Sequence, residues 1–446
     1  MDRVGPRDDD GGFAATIARV TVFPYFQYYR NERRRQAPCR ALTRRLAPYV
    51  RSSLSKAPVA PNRHSAWVIA IAGCAALAVA MGVGRFAFTP ILPMMQADHG
   101  MTVGQAGWLA SANYVGYLLG SLFATRTRVG ARRALRIGLV LIAACTLAMG
   151  LDHHFVAWLM LRAIPGFASA LVLIVASAWI LPRLAQAARD SLSGVVYAGV
   201  GAGIVLAGLA CLLLDRAGAS SDTAWIALGV TSAVATIAVW RVLGDDTEPS
   251  AGSATPSPPA RISHWRLVFC YGAFGLAYII PATFLPVMAK QAIADPGLFA
   301  WAWPIFGAAA TISTVLAARV SKRYGNRNVW IAGNVIMAIG VLVPVVLANL
   351  AGIVIAALLV GGTFMVITMT GIGEARRVAG AEARALIGAM TSAFATGQIV
   401  GPLLVAGLVR VPHGFSWSLG ISAMPLLLAA WMLRARAGHG RRVANG

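Results

Sequence analysis

Hydrophobic residues in this chain come in long runs that lack a polar face, and short basic loops separate them. Twelve such runs cover approximately residues 66–95, 103–124, 134–151, 155–181, 192–214, 223–243, 267–289, 297–318, 328–348, 351–372, 385–409 and 415–433. A helix rises about 1.5 Å per residue, so roughly 20 residues cross a hydrocarbon core, and each run is long enough to span. A lipid-facing strand would alternate apolar and polar residues over about ten positions, which these runs do not do. The pattern predicts an all-α membrane protein with twelve transmembrane helices. Its one long polar interruption, residues 244–265, is rich in Pro, Ser and Gly and reads as a linker with six runs on each side. The predicted organisation is a basic, poorly ordered arm over 1–65, a six-helix bundle over 66–243, the linker, a second six-helix bundle over 266–434 and a tail over 435–446.

Charge changes this picture by orienting it. Loops after the even-numbered runs, with the tail, hold 21 Lys and Arg, whereas the other loops hold only Arg216, Lys290 and Arg410. The arm adds 13 more against 5 acids. Cytoplasmic loops carry the excess of Lys and Arg, so both termini are expected in the cytoplasm of a bacterial inner-membrane protein. The net charge of +23 is then a topology signal, and no nucleic acid is expected as a partner. The expected partners are the lipid bilayer and a small-molecule solute, with the chain acting as a monomer.

Sequence chemistry excludes more than it supplies. The five cysteines are scattered without disulfide or metal spacing. No phosphate loop, His-Glu-x-x-His or nucleophile elbow occurs. Gly199-x-Gly201-x-Gly203 lies inside an apolar run with no strand before it, so it reads as close helix packing rather than a dinucleotide site. No enzyme activity, cofactor or metal is expected; His153 and His154, beside Asp152, are neighbours that point different ways on most backbones.

The chain repeats itself. Gly82–Pro93 returns 193 residues later as Gly275–Pro286, with Tyr278 in the place of Arg85. Arg128-Val129-Gly130-Ala131-Arg132 returns 195 residues later as Arg323-Tyr324-Gly325-Asn326-Arg327, and Trp108 is matched at the same spacing by Trp303. Two duplicated halves with a site at their junction describe a secondary transporter.

Named motifs agree. Arg128-Val129-Gly130 with Arg132-Arg133, Arg162 to Ala170, and Gly397-Gln398-Ile399-Val400-Gly401-Pro402 resemble the loop, fourth-helix and Gly-Pro motifs of the major facilitator superfamily. Gly82–Pro93, Trp108–Tyr117, Tyr271–Pro286 and Thr368–Arg376 are similar to its YbfB/YjiJ group. The resemblance covers roughly 66–434 and implies a two-bundle permease whose first and fourth helices line a cavity. Two departures stand out. Thr127 and Lys322 replace the Asp usual in the loop motif, and the Gly-Pro motif lies in the eleventh run, not the fifth.

Arg85 and Arg162 are the two cations deep inside apolar runs, roughly 10–15 Å below one surface. A charge there costs at least about 2.5–3.5 kcal/mol on insertion scales, so it must face protein or water. Either they grip an anionic substrate, or they bond carbonyls and polar neighbours. Asn113, Tyr114, Tyr278 and Gln398 complete the cavity candidates, each equally able to make an interhelical hydrogen bond. Glu374, at the cytoplasmic end of the tenth run, either exchanges a proton or pairs with Arg376, Arg377 or Arg323; Arg128 and Arg323 are gating candidates. Prolines 90, 93, 281 and 286 are expected to kink the first and seventh runs. The expectation is proton-coupled, alternating-access transport of a small organic solute, with a lean toward anions. A broad drug exporter of the same fold and a membrane-embedded sensor without transport are the alternatives.

Overall fold

A computed structural model describes residues 64–127, 129–243, 264–292, 301–347, 349–408 and 414–434. The described residues are helical apart from short turns, and no strand occurs among them. In chain order the helices are α1 (Ala66–Leu77), a π-helical stretch (Ala78–Val83), α2 (Phe88–His99), α3 (Val103–Arg126), α4 (Ala131–Ala148), α5 (Phe155–Gln186), α6 (Ser193–Arg216) and α7 (Ser221–Val239). They continue with α8 (Trp265–Ala292), α9 (Ala302–Tyr324), α10 (Asn326–Val346), α11 (Leu350–Ala379), α12 (Ala383–Leu408) and α13 (Gly414–Arg434). Almost all of the arm and the linker, and the whole tail, lie outside the described residues.

Polar residues at the edges of the apolar runs start the helices. Ser65, Thr102, Ser220 and Asn349 each accept a first-turn backbone N–H of α1, α3, α7 and α11, meeting donors that have no partner within the helix. Nine helical stretches among the described residues are long and apolar enough to cross a membrane, the broken α1–α2 stretch counting as one. α4 falls short because Arg132, Arg133 and Arg136 occupy its first two turns.

α3 packs on α5, α4 on α5 and α7, and α1 on α6, while α8 packs on α12, α10 on α11 and α13, and α9 on α11. The two sets meet along α6–α9 and α3–α12. Glycine makes the first contact possible. Gly194, Gly201 and Gly208, spaced by seven, face α9, and a Cβ on Gly201 would stand 2.6 Å from the Gly307 carbonyl. Gly199 and Gly203 face the other way, where a Cβ on Gly203 would stand 2.8 Å from the Gly82 Cα. One glycine run thus serves two helix interfaces.

The first apolar run is broken, not merely kinked. The Gly84 and Phe86 N–H groups reach back five residues, to the Val79 and Met81 carbonyls, and α2 begins only at Phe88. Pro90 sits in the first turn of α2, where its missing N–H is harmless. The seventh run, expected to kink at Pro281 and Pro286, is not broken in this way: α8 passes Pro281 as one helix. The second copy has Ala277 where the first has Gly84, so it keeps a residue that favours helix.

Candidate functional site

The break leaves backbone oxygens without their helical donors. The Thr89 N–H turns to the Phe86 carbonyl at 3.3 Å, abandoning the Arg85 carbonyl. Arg162, on α5, replaces it: Nη2 donates to the Arg85 carbonyl at 3.3 Å and Nη1 to the Gly84 carbonyl at 3.4 Å. Asn113, on α3, donates through Nδ2 to the Gly84 carbonyl at 3.3 Å and to the Arg162 carbonyl at 2.9 Å. The Arg162 guanidinium also lies 4.8 Å from the centre of the Phe88 ring. Asn113 and Arg162 therefore hold the broken helix together.

Arg85 points the other way, toward the second set of helices. Its side chain is 3% exposed, and Nη2 donates to Oε1 of the buried Gln398 on α12. Four rings surround the guanidinium: Tyr117 at 3.9 Å, Tyr114 at 5.5 Å, Phe86 at 5.7 Å and Phe394 at 5.9 Å, measured to their centres. No ion pair to Arg85 occurs among the described residues. Ring faces, each worth about 0.5–2 kcal/mol, supply the stabilisation that an acid would otherwise give.

Tyr278 joins the same cluster. Its ring stacks on Phe364 at 5.1 Å and 13°, and on Phe394 at 6.3 Å and 21°. Phe86 meets Phe364 at 5.9 Å and Trp303 at 6.3 Å. Four of the sequence candidates (Arg85, Tyr114, Tyr278 and Gln398) thus converge where the two sets of helices meet. Of the two surroundings open to a buried cation, protein or water, the described residues around the Arg85 guanidinium supply protein.

Polar atoms in this cluster remain unused. Arg85 Nε and Nη1, Gln398 Nε2, Trp303 Nε1 and the Tyr278 hydroxyl are buried and have no hydrogen-bond partner among the described residues. An orphaned buried donor costs about 1–3 kcal/mol. All five can donate, so an acceptor-rich group entering between the halves would relieve them together. Phe364 and Phe394 carry no sequence signal that separates them from packing residues, while Trp303 is marked only by its repeat partner.

Glu374 stands apart from this cluster, near the end of α11. It is buried, and Arg377 grips it bidentately, Nε to Oε2 at 2.8 Å and Nη2 to Oε1 at 2.7 Å. Of the partners expected for it, Arg377 is the one bonded. Its partner Arg377 also lines a cavity of about 410 Å³, together with Asp190, Tyr197, Lys322, Asn326 and Arg376 among others. The Arg323 guanidinium lies 5.5 Å from the ring centre of neighbouring Tyr324. Arg128 lies outside the described residues. Ser121 of α3 and Ser392 of α12 share a hydrogen bond at 2.8 Å, and Arg384 Nε donates to the Ala124 carbonyl at 3.1 Å, joining the two sets near this end.

Comparison with known proteins adds the family. A family model described as "Uncharacterised MFS-type transporter YbfB" matches residues 77–434, from the end of α1 to the end of α13. The chain is also 28% identical over 395 residues to a chloramphenicol resistance protein of Streptomyces lividans, an alignment covering 82% of this chain and 95% of that one. Many apolar helices, a duplicated sequence and a family model spanning all but the first of them lead to one conclusion: the chain belongs to the YbfB family of MFS-type transporters.

Proposed function

We propose that this transporter carries an aromatic organic compound that bears a negative charge or strong hydrogen-bond acceptors. It does so by alternating access between two six-helix bundles, 66–243 and 266–434, in a bacterial inner membrane. The observation that carries the reading is Arg85: among the described residues, a buried guanidinium with no acid beside it, two unpartnered nitrogens and an amide oxygen from the opposite half in its grasp. Gln398 holds the place that a substrate oxygen would take. An incoming carboxylate or nitro group displaces the Gln398 oxygen, accepts from Arg85 and meets the Tyr278 hydroxyl, while its ring slides among Phe364, Phe394 and Tyr117. The end bearing Lys322, Arg376 and Arg377 is the cytoplasmic one, in keeping with the 21 Lys and Arg on that side. With no nucleotide-binding loop in the sequence, the driving force is an ion or solute gradient, and protons are the coupling ion proposed.

A second reading is favoured by the Streptomyces lividans relative, a chloramphenicol resistance protein: export of a chloramphenicol-like drug. The two readings share one site and differ in ligand charge. Purified protein in liposomes separates them. Aromatic carboxylates and chloramphenicol are each tested for counterflow and for a rise in melting temperature, because a ligand of the folded state raises it. Response to carboxylates supports the first reading, and response to chloramphenicol alone supports the second. Full counterflow by Arg85→Met with either compound overturns both. Loss of transport when a protonophore collapses the pH gradient supports proton coupling, and indifference to it removes that part of the proposal.

A further inference from the structure

At the ends of the helices opposite the Lys322–Arg377 cavity, three metal-ligating side chains from three separate connections converge. His99 closes α2, His153 lies between α4 and α5, and Asp222 sits in the first turn of α7. His99 Nε2 lies 3.0 Å from Asp222 Oδ1 and His153 Nε2 lies 3.1 Å from Asp222 Oδ2. The three ligand atoms all fall within 4.8 Å of one another. From this geometry we infer that the cluster is a site for a borderline divalent metal, Zn²⁺ or Co²⁺, with water completing the coordination.

Two imidazoles and a carboxylate are the donor set such ions prefer over Mg²⁺ or Ca²⁺, which take oxygen ligands. A tetrahedral ion about 2.0–2.2 Å from each donor separates its ligands by about 3.4 Å, so donors up to 4.8 Å apart close by at most about 1.4 Å, within reach of side-chain rotation. The frame is built without the ion. Asp98 accepts the Ser221 N–H at 2.5 Å, tying the end of α2 to the start of α7. Trp158 packs edge-on against both imidazoles, 5.4 Å from His99 and 6.5 Å from His153 between ring centres, and is itself pinned by donating to the Asp152 carbonyl at 2.6 Å. The side chains of His99, His153 and Asp222 are 21%, 55% and 27% exposed, so an ion reaches them from water. His154 does not take part. It bonds Asp152 instead, and the backbone N–H of His154 holds that carboxyl below the usual carboxylate range. The adjacent histidines, read in the sequence as a poor pair, are indeed split, and His153 finds its partners through the fold. A bound ion ties the outer segment of the broken first helix to α7.

The test uses full-length protein purified without a polyhistidine tag and stripped with chelator. Titration with Co²⁺ is expected to give a visible ligand-field band that Zn²⁺ displaces, and Zn²⁺ is expected to raise the melting temperature. His153→Ala weakens the Co²⁺ affinity by about tenfold or more, while His154→Ala leaves it unchanged. His153 is more than half exposed, so its loss does not endanger folding; Asp222→Asn is the second variant, keeping a hydrogen-bond acceptor for the imidazoles but offering a poorer ligand. No band in the parent, or an equal titration in His153→Ala and Asp222→Asn, overturns the inference and leaves a hydrogen-bonded cluster only.

Discussion

Replacing each buried arginine with methionine, one at a time, separates a side chain that holds the fold from one that awaits a ligand. Arg162→Met removes the donor to the Arg85 carbonyl, which Thr89 no longer serves, and an orphaned buried carbonyl costs about 1–3 kcal/mol. The Gly84 carbonyl keeps the Asn113 amide, so it adds little. Loss of the cation beside Phe88 adds about 0.5–2 kcal/mol. Relief from burying a charge offsets part of this, which leaves a net destabilisation of about 1–3 kcal/mol. Arg85→Met sums differently. It gives up one bond to Gln398 and the ring faces, but it also removes two buried donor nitrogens, Nε and Nη1, that have no partner among the described residues, each costing about 1–3 kcal/mol. The melting temperature is expected to stay level or rise. Binding falls instead: two charge-assisted hydrogen bonds to an anion, at about 1.5–3 kcal/mol each, amount to at least about a hundredfold in Kd. Differential scanning fluorimetry in detergent reads the first quantity, and counterflow in liposomes reads the second. An early-melting Arg85→Met beside an unperturbed Arg162→Met would refute the assignment of roles.

Three further outcomes follow from the same geometry. Tyr278→Phe deletes a hydroxyl with no partner among the described residues, so the melting temperature should hold while ligand affinity falls several-fold; an unchanged affinity removes that hydroxyl from the site. Joining Ser121→Cys to Ser392→Cys, where the native oxygens are 2.8 Å apart, should give a disulfide that stops transport until dithiothreitol is added, and a crosslinked protein that still transports would show that α3 and α12 need not part there. Gly201→Val places a branched side chain against the Gly307 carbonyl and should cost about 1–3 kcal/mol of stability together with transport; a variant with the parent's melting temperature would show that α6 and α9 are not held this closely.

Hydropathy made the all-helical, membrane-spanning character legible but not the helix ends. α5 and α11 continue past the runs 155–181 and 351–372 to Gln186 and Ala379, because their last turns carry Arg183, Glu374 and Arg377 and stay helical while ceasing to be apolar. The bend near Pro90 was legible too, yet the opening lies upstream. It depends on Gly82 and Gly84 meeting α6 and Ile142, a tertiary fact no local window holds. Arg85 announced itself as a charge in hydrocarbon. Its pairing with Gln398, 313 residues away, did not, nor did the rings of Phe364 and Phe394, which look like packing residues until the two sets of helices meet.

The duplication explains why the site forms where it does. Trp108 and Trp303 occupy equivalent places in the repeat, yet Trp108 is 68% exposed on the outside of α3, whereas Trp303 stacks on Phe306 at 5.3 Å and 5°. Arg85 and Tyr278 likewise share a repeat position but not a charge. Both members of this second pair are buried in one cluster, the guanidinium offered by the first half and most of the stacked rings by the second. A solute with an acceptor at one end and a ring at the other therefore satisfies neither half by itself. On the proposed function, such a solute is held fully only when both sets of helices close on it, and that difference in affinity between open and closed states would let it shift the balance between them.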